Sequence, residues 1–401
     1  MQKKLIGVCL INFLIAALMG LTLRYIFVDP IAINYRYLTH AHSHVAMLGW
    51  VYLMLYLFIV HYFIPDKKPI YTRLFWVTQI AVVGMMVSFP FIGYAAISIS
   101  FSTLHIFCSY YFVRLVWKNH QVASPLIRKL LKAALVFMVL STIGVWCLGP
   151  AAGILGSASA FYNISIQFFL HFQFNGWFMF GVLALFLHQF PIDDWMLGSR
   201  FFNTLVISTI LTLSLIISWF AFHPLLLWIN GMGILLQLLA GYYFIQLLKP
   251  HWTEFWSRIS KLTKWMYGLA LLSFLLKIVL QAASILPEVG DMAYQYRNFV
   301  IGFIHLMMLG VISGFLFAFL LQKYPKTKNT KSLSLGVYSF ILGILSTEFL
   351  LLLQGVYYYL NLGMLPHYYL ILLFCSILLP LGILFFIINL RNYDTETLKT
   401  T

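Results

Sequence analysis

Residues 35–65, YRYLTHAHSHVAMLGWVYLMLYLFIVHYFIP, decide how this chain is read. They open with three histidines at alternate positions, and from Val45 to Pro65 they contain no charged residue. An apolar stretch of that length spans about 30 Å as a helix, the thickness of a bilayer's hydrocarbon core.

The same layout occurs twice more. YNISIQFFLHFQFNGWFMFGVLALFLHQFP and YRNFVIGFIHLMMLGVISGFLFAFLLQKYP align with it almost without gaps, each reading Tyr-[Arg/Asn]-x7-His-x4-Gly and ending in Pro. The shared anchors are Tyr35, Arg36, His44, Gly49 and Pro65; Tyr162, Asn163, His171, Gly176 and Pro191; and Tyr296, Arg297, His305, Gly310 and Pro325. His61 and His188 also correspond, with Gln322 in the third copy. A single His-x4-Gly carries nothing in so apolar a chain, but three copies with five common anchors point to an internal repeat.

Apolar runs occupy residues 4–28, 38–64, 71–93, 95–117, 129–149, 160–190, 201–222, 225–248, 262–286, 298–322, 332–358 and 368–390. With 62% hydrophobic and 9% charged residues, the chain is expected to be an all-α polytopic membrane protein of twelve transmembrane helices. His44, His171 and His305 are separated by 127 and 134 residues, four helices each time. The reading is one membrane domain, 1–401, made of three pseudo-equivalent four-helix units at about 1–125, 126–258 and 259–401. The first run follows Lys3 and Lys4 but is too long for a signal-peptide core, so it is read as a retained helix.

The net charge of +15 reports topology rather than nucleic-acid binding. Of 25 Lys and Arg, 21 fall at the termini and in the even-to-odd loops, leaving Arg24, Arg36, Lys277 and Arg297 on the opposite half. This positive-inside pattern predicts cytoplasmic termini in a multi-pass protein of a bacterial-type inner membrane. The four cysteines are isolated and form no metal, haem-attachment or disulfide pattern.

The aligned histidines are expected in the third of the membrane farthest from the termini. Ionisable residues at such depth are functional candidates, and neutral imidazole suits haem iron or copper without a carboxylate. His44 and His305 are the first candidates for ligation, with His42 and His171 next and His40 and His105 as further metal ligands. Positions two apart differ by about 200° around a helix, so His42 and His44 face opposite ways, whereas His40 lies above His44. One helix then serves two neighbouring sites. His40 also reads as hydrated at the interface, and His105 as a hydrogen-bonded core residue. The motif glycines offer a flat macrocycle close approach to the backbone. Arg36 and Arg297, two turns before their histidines, suit haem propionates. Glu348 and Lys277 are candidates for a proton path, against a paired structural group and a snorkelling lysine.

Twelve helices in three arcs, with histidines on the second helix of each, resemble the catalytic subunit I of haem-copper oxidases and nitric oxide reductases. HSHVAMLGW is similar to that family's His-x-His helix. The resemblance implies b-type haem, with His44 and His305 on the low-spin haem, His42 toward the high-spin haem and His171 toward copper. The chain departs from the family in carrying His-x-His on the second helix and in lacking a histidine pair on the seventh. It also resembles the NnrS-type nitric-oxide-response membrane proteins, regarded as haem- and copper-containing, through its early His-Ala-His segment and later His-x4-Gly helices. Both imply redox or diatomic-gas chemistry, as an oxidoreductase or a non-catalytic sensor, with nitric oxide or oxygen as ligand and electrons from a separate cytochrome or quinol. A twelve-helix transporter is the rival reading.

Overall fold

The computed structural model describes residues 3–323 and 331–397, with side chains described to residue 390. Pro325, the last anchor of the third motif, lies outside the described residues. Among these residues the chain is all helix, and twelve helices are long and apolar enough to cross a membrane. They are α1 (Lys3–Tyr25), α2 (Tyr35–Phe63), α3 (Pro69–Ile92), α4 (Ala96–Asn119), α5 (Pro125–Ile154), α6 (Ala160–Leu187), α7 (Trp195–Ser218), α8 (Pro224–Arg258), α9 (Lys261–Ala283), α10 (Arg297–Lys323), α11 (Lys331–Tyr359) and α12 (Tyr368–Leu390). The protein is therefore a multi-pass helical membrane protein. A short helix, Pro287–Gln295, follows α9. Its apolar content is too low for a span, and the apolar-run reading ends just before it.

The three motif helices differ from the other nine. The apolar windows of α2, α6 and α10 are 83%, 94% and 83% buried, against 28–50% for the rest. A helix enclosed on all sides has no polar face, which accounts for the unbroken apolar runs after each motif histidine. Each of the three also contains a π-helical segment: Val45–Tyr52, Phe172–Phe178 and Leu306–Ser313. Each segment begins at the residue after the aligned histidine. Such segments are rare and concentrate at functional sites. A π turn pairs residues five apart, and five is the His-to-Gly spacing of the motif. In α10 the Ser313 hydroxyl donates to the Met308 carbonyl, five residues back, at 2.7 Å.

The fold separates into two compact units. One comprises Met1–Phe112, Ser260–Ala270 and Ile304–Thr401; the other comprises Val113–Ile259 and Leu271–Phe303. In the first unit, Phe13 of α1 stacks on Trp50 of α2 at 4.5 Å, and Phe317 of α10 stacks on Phe386 of α12 at 4.1 Å. Trp50 Nε1–H donates to Ser313 Oγ at 2.8 Å, joining the π segments of α2 and α10. Asn12 of α1 donates to the Gly49 carbonyl at 2.9 Å and exchanges two hydrogen bonds with Gln79 of α3, which satisfies a buried polar pair. In the second unit, α5 and α7 pack on α6, with Phe137 stacked on Phe172 at 5.5 Å and Gln173 accepting from Ser141 at 3.0 Å.

Candidate functional site

The histidines of α2 project from the polar head of that helix. Asn34 caps its start by accepting the Tyr37 amide at 3.1 Å, and the π segment begins at Val45, one residue after His44. Between the two, ordinary α-helical spacing places His42 and His44 on opposite faces, and their contacts confirm this.

His42 turns toward α1. Its Nδ1–H donates to the Ala16 carbonyl at 2.8 Å, and its ring lies over Gly20, where a Cβ would stand 2.9 Å from Cε1. His305 of α10 lies within electrostatic range of His42 and of Arg24. Its Nδ1 is 4.0 Å from Glu348 Oε1 of α11, and neither atom has a hydrogen-bond partner. Arg24, at the end of α1, donates to Ser376 Oγ of α12 and lies in the field of Glu348.

His44 turns toward α3 and α4. Its Nδ1–H donates to the His40 carbonyl at 2.8 Å, and its ring stacks on Phe89 at 4.5 Å. The ring of His40 meets Tyr94 edge-on at 4.7 Å, and its Nε2 is buried without a partner. His105 of α4, 3% exposed, lies within electrostatic range of His44 and meets Tyr52 edge-on at 4.6 Å. Its Nε2 is also buried without a partner, while Nδ1 is 3.4 Å from Ser109 Oγ.

A carbonyl can only accept, so His42 and His44 must carry their protons on Nδ1. Each therefore keeps an Nε2 lone pair. Orienting one ring nitrogen through a backbone carbonyl and leaving the other free is the arrangement that ligating histidines use. His305 differs: its Nδ1, 4.0 Å from the Glu348 carboxylate, makes no hydrogen bond. His42, His44 and His305 are only half-buried, although the residues that follow them on α2 and α10 are sealed.

This grouping differs from the one expected. His305 shares its surroundings with His42, and His44 shares its own with His40 and His105; no hydrogen bond or ring contact joins His44 to His305 among the described residues. Helix periodicity predicts opposite faces but not which neighbour each face meets. The motif glycines also act differently. A Cβ on Gly49 would stand 2.9 Å from Val82 and 3.1 Å from Asn12, and one on Gly176 would stand 2.6 Å from Phe137. They admit neighbouring helices, and these filled positions leave no room for a macrocycle at Gly49 or Gly176.

His171 lies in the second unit, buried, with Nε2–H donating to the Thr209 carbonyl of α7 at 2.7 Å. That nitrogen is therefore committed. No group of three or more His, Cys, Asp or Glu close enough to hold a metal ion occurs among the described residues; His171 belongs to the second unit, and His40 and His105 to the first. Arg36 and Arg297 are exposed at the starts of α2 and α10, and Arg36 lies in the field of His40. Lys277 is 6% exposed inside the second unit and does not snorkel, whereas Glu348 belongs to the His305 side of the first. Arg24 escapes sequence reasoning because a lone arginine near a helix end reads as topology. Its partners come from α11 and α12, more than 300 residues away.

No protein-family model matches the chain, and no curated protein matches it significantly.

Proposed function

We propose that this chain is an integral membrane b-type haem protein acting in redox or diatomic-gas chemistry, as the proteins its motif helices resemble do. The observation that carries the reading is the state of the two imidazoles on α2: each is oriented by a backbone carbonyl through Nδ1, each presents a free Nε2, and they face opposite ways.

His42 and His305 are the pair assigned to haem iron, with the Glu348 carboxylate 4.0 Å from Nδ1 of His305 and Arg24 within electrostatic range of it. His44, with His105 and His40, forms a second nitrogen-rich site. Arg36 and Arg297, two turns before His44 and His305, are the candidates to pair with outward carboxylates such as propionates. Bound haem would supply one-electron chemistry, and nitric oxide or oxygen would have to displace His42 or His305 to reach the iron. The Nε2 atoms that His42 and His44 leave uncommitted fit such a group, and the unpartnered Nε2 atoms of His40 and His105 lie on the His44 side, where copper is the further candidate. Electrons would come from a separate cytochrome or quinol. The charge asymmetry supports cytoplasmic termini in a bacterial-type inner membrane.

Expression with haem supplied, followed by purification and a haem-to-protein ratio, tests this. A stoichiometric b-type signal that is lost in His42→Ala and His305→Ala is expected; a colourless protein ends the proposal. Consumption of nitric oxide or oxygen with a reductant then separates an enzyme from a sensor.

A further inference from the structure

The second unit holds a buried lysine that the haem reading does not use. Lys277 lies in α9, six residues from its end at Ala283, which is about 9 Å along the axis. Only 6% of it is exposed, and its ammonium makes no hydrogen bond or ion pair among the described residues. It lines a cavity with room for at least one water molecule. The cavity's polar wall consists of Asn175 of α6, Ser208, Thr209 and Thr212 of α7, and Gln237 of α8.

The hydrogen-bond accounting shows what this space lacks. Thr209 and Thr212 donate their hydroxyl protons to the Leu205 and Ser208 carbonyls at 2.8 and 2.9 Å. Gln237 uses one amide proton on Gln281 at 2.7 Å. Among the described residues the Ser208 hydroxyl makes no bond, and the amide position assigned as Oδ1 of Asn175 is buried without a partner. The two ends of an amide are told apart only by such networks, so Asn175 is free to turn its N–H inward. Of the acidic residues of this unit, Asp193, Asp194, Glu288 and Asp291 lie in connecting segments or a short helix, and Glu254, at the far end of α8, pairs with Arg258. His171, the other titratable group within electrostatic range, is neutral or positive and adds no counter-charge.

A buried lysine with unspent donors and no carboxylate either gives up its proton or takes a negative partner. We propose that Lys277 forms a binding site for one small monovalent inorganic anion of halide or nitrite size, held by the ammonium, the Ser208 hydroxyl and the Asn175 and Gln237 amides. The site is independent of the haem assignment, which concerns the other unit.

The test uses the full-length protein in detergent, with its melting temperature measured in sodium chloride, bromide or nitrite against gluconate, an anion too large to enter. The wild type is expected to melt at least about 2 °C higher in the small anions. Lys277→Met is expected to lose that difference while Lys277→Arg keeps part of it. An equal salt response in wild type and Lys277→Met overturns the proposal. Should Lys277→Met fail to fold, wild-type crystals grown in bromide decide: an anomalous peak beside Nζ supports the site, and density for water alone overturns it.

Discussion

Gly20→Ala is the most discriminating single change. An alanine Cβ at position 20 would lie 2.9 Å from Cε1 and 3.2 Å from Nδ1 of His42. Ordinary contact begins near 3.4 Å, so the ring must retreat by about 0.5 Å, stretching its 2.8 Å bond to the Ala16 carbonyl to about 3.3 Å. Weakening that bond costs about 1 kcal/mol, and forcing a methyl into a packed contact costs about 1–3 kcal/mol. Against this, alanine gains about 1 kcal/mol over glycine in a helix. The net is a loss of about 1–3 kcal/mol. If His42 ligates iron, loosening its supporting bond also lowers haem affinity about 10- to 100-fold. Gly7→Ala, on the same helix with nothing within 4 Å of its Cβ, is the control and should be neutral or stabilising. Haem titration into the apoprotein and thermal unfolding read both effects. Gly20→Ala behaving as Gly7→Ala does in both assays would refute the placement of His42.

Asn12→Ala strands the Gly49 carbonyl bond and both ends of Gln79, and should cost about 2–3 kcal/mol in thermal unfolding. Adding Gln79→Leu should recover part of that loss, and strict additivity would show that the pair does not interact. Gly176→Ala drives a methyl to within 2.6 Å of Phe137 and should destabilise by about 1–3 kcal/mol, whereas Gly153→Ala, with open space around it, should not. His171→Ala should cost about 2 kcal/mol by removing the bond to Thr209, with haem content unchanged on the purified protein; a lost haem or metal signal would make it a ligand after all.

The membrane helices were legible because a helix enclosed by protein or lipid must be apolar all round, and runs of that length have no other use. The three motif helices stood out for the same reason, and they are the three most enclosed. That Glu348 sits beside His305 was foreshadowed only by its isolation in an apolar run. That His42 packs on α1 and lies within electrostatic range of His305 depends on which helices flank α2, and no periodicity encodes that. The π segments were hidden because a wide turn leaves no compositional trace; in retrospect the five-residue His-to-Gly spacing was its one sign. Lys277 read as a snorkelling residue because sequence shows its distance from a helix end but not the polar wall of α6, α7 and α8 that it faces.

Haem at α2 is tested most directly by the reduced-minus-oxidised optical spectrum of the protein purified after expression with haem supplied. A Soret band with the sharp visible bands of a histidine-ligated b-type haem, abolished or reduced by His42→Ala and by His305→Ala but not by His171→Ala, is the predicted result. No Soret absorbance in the wild type, or a spectrum that survives loss of both His42 and His305, would contradict it.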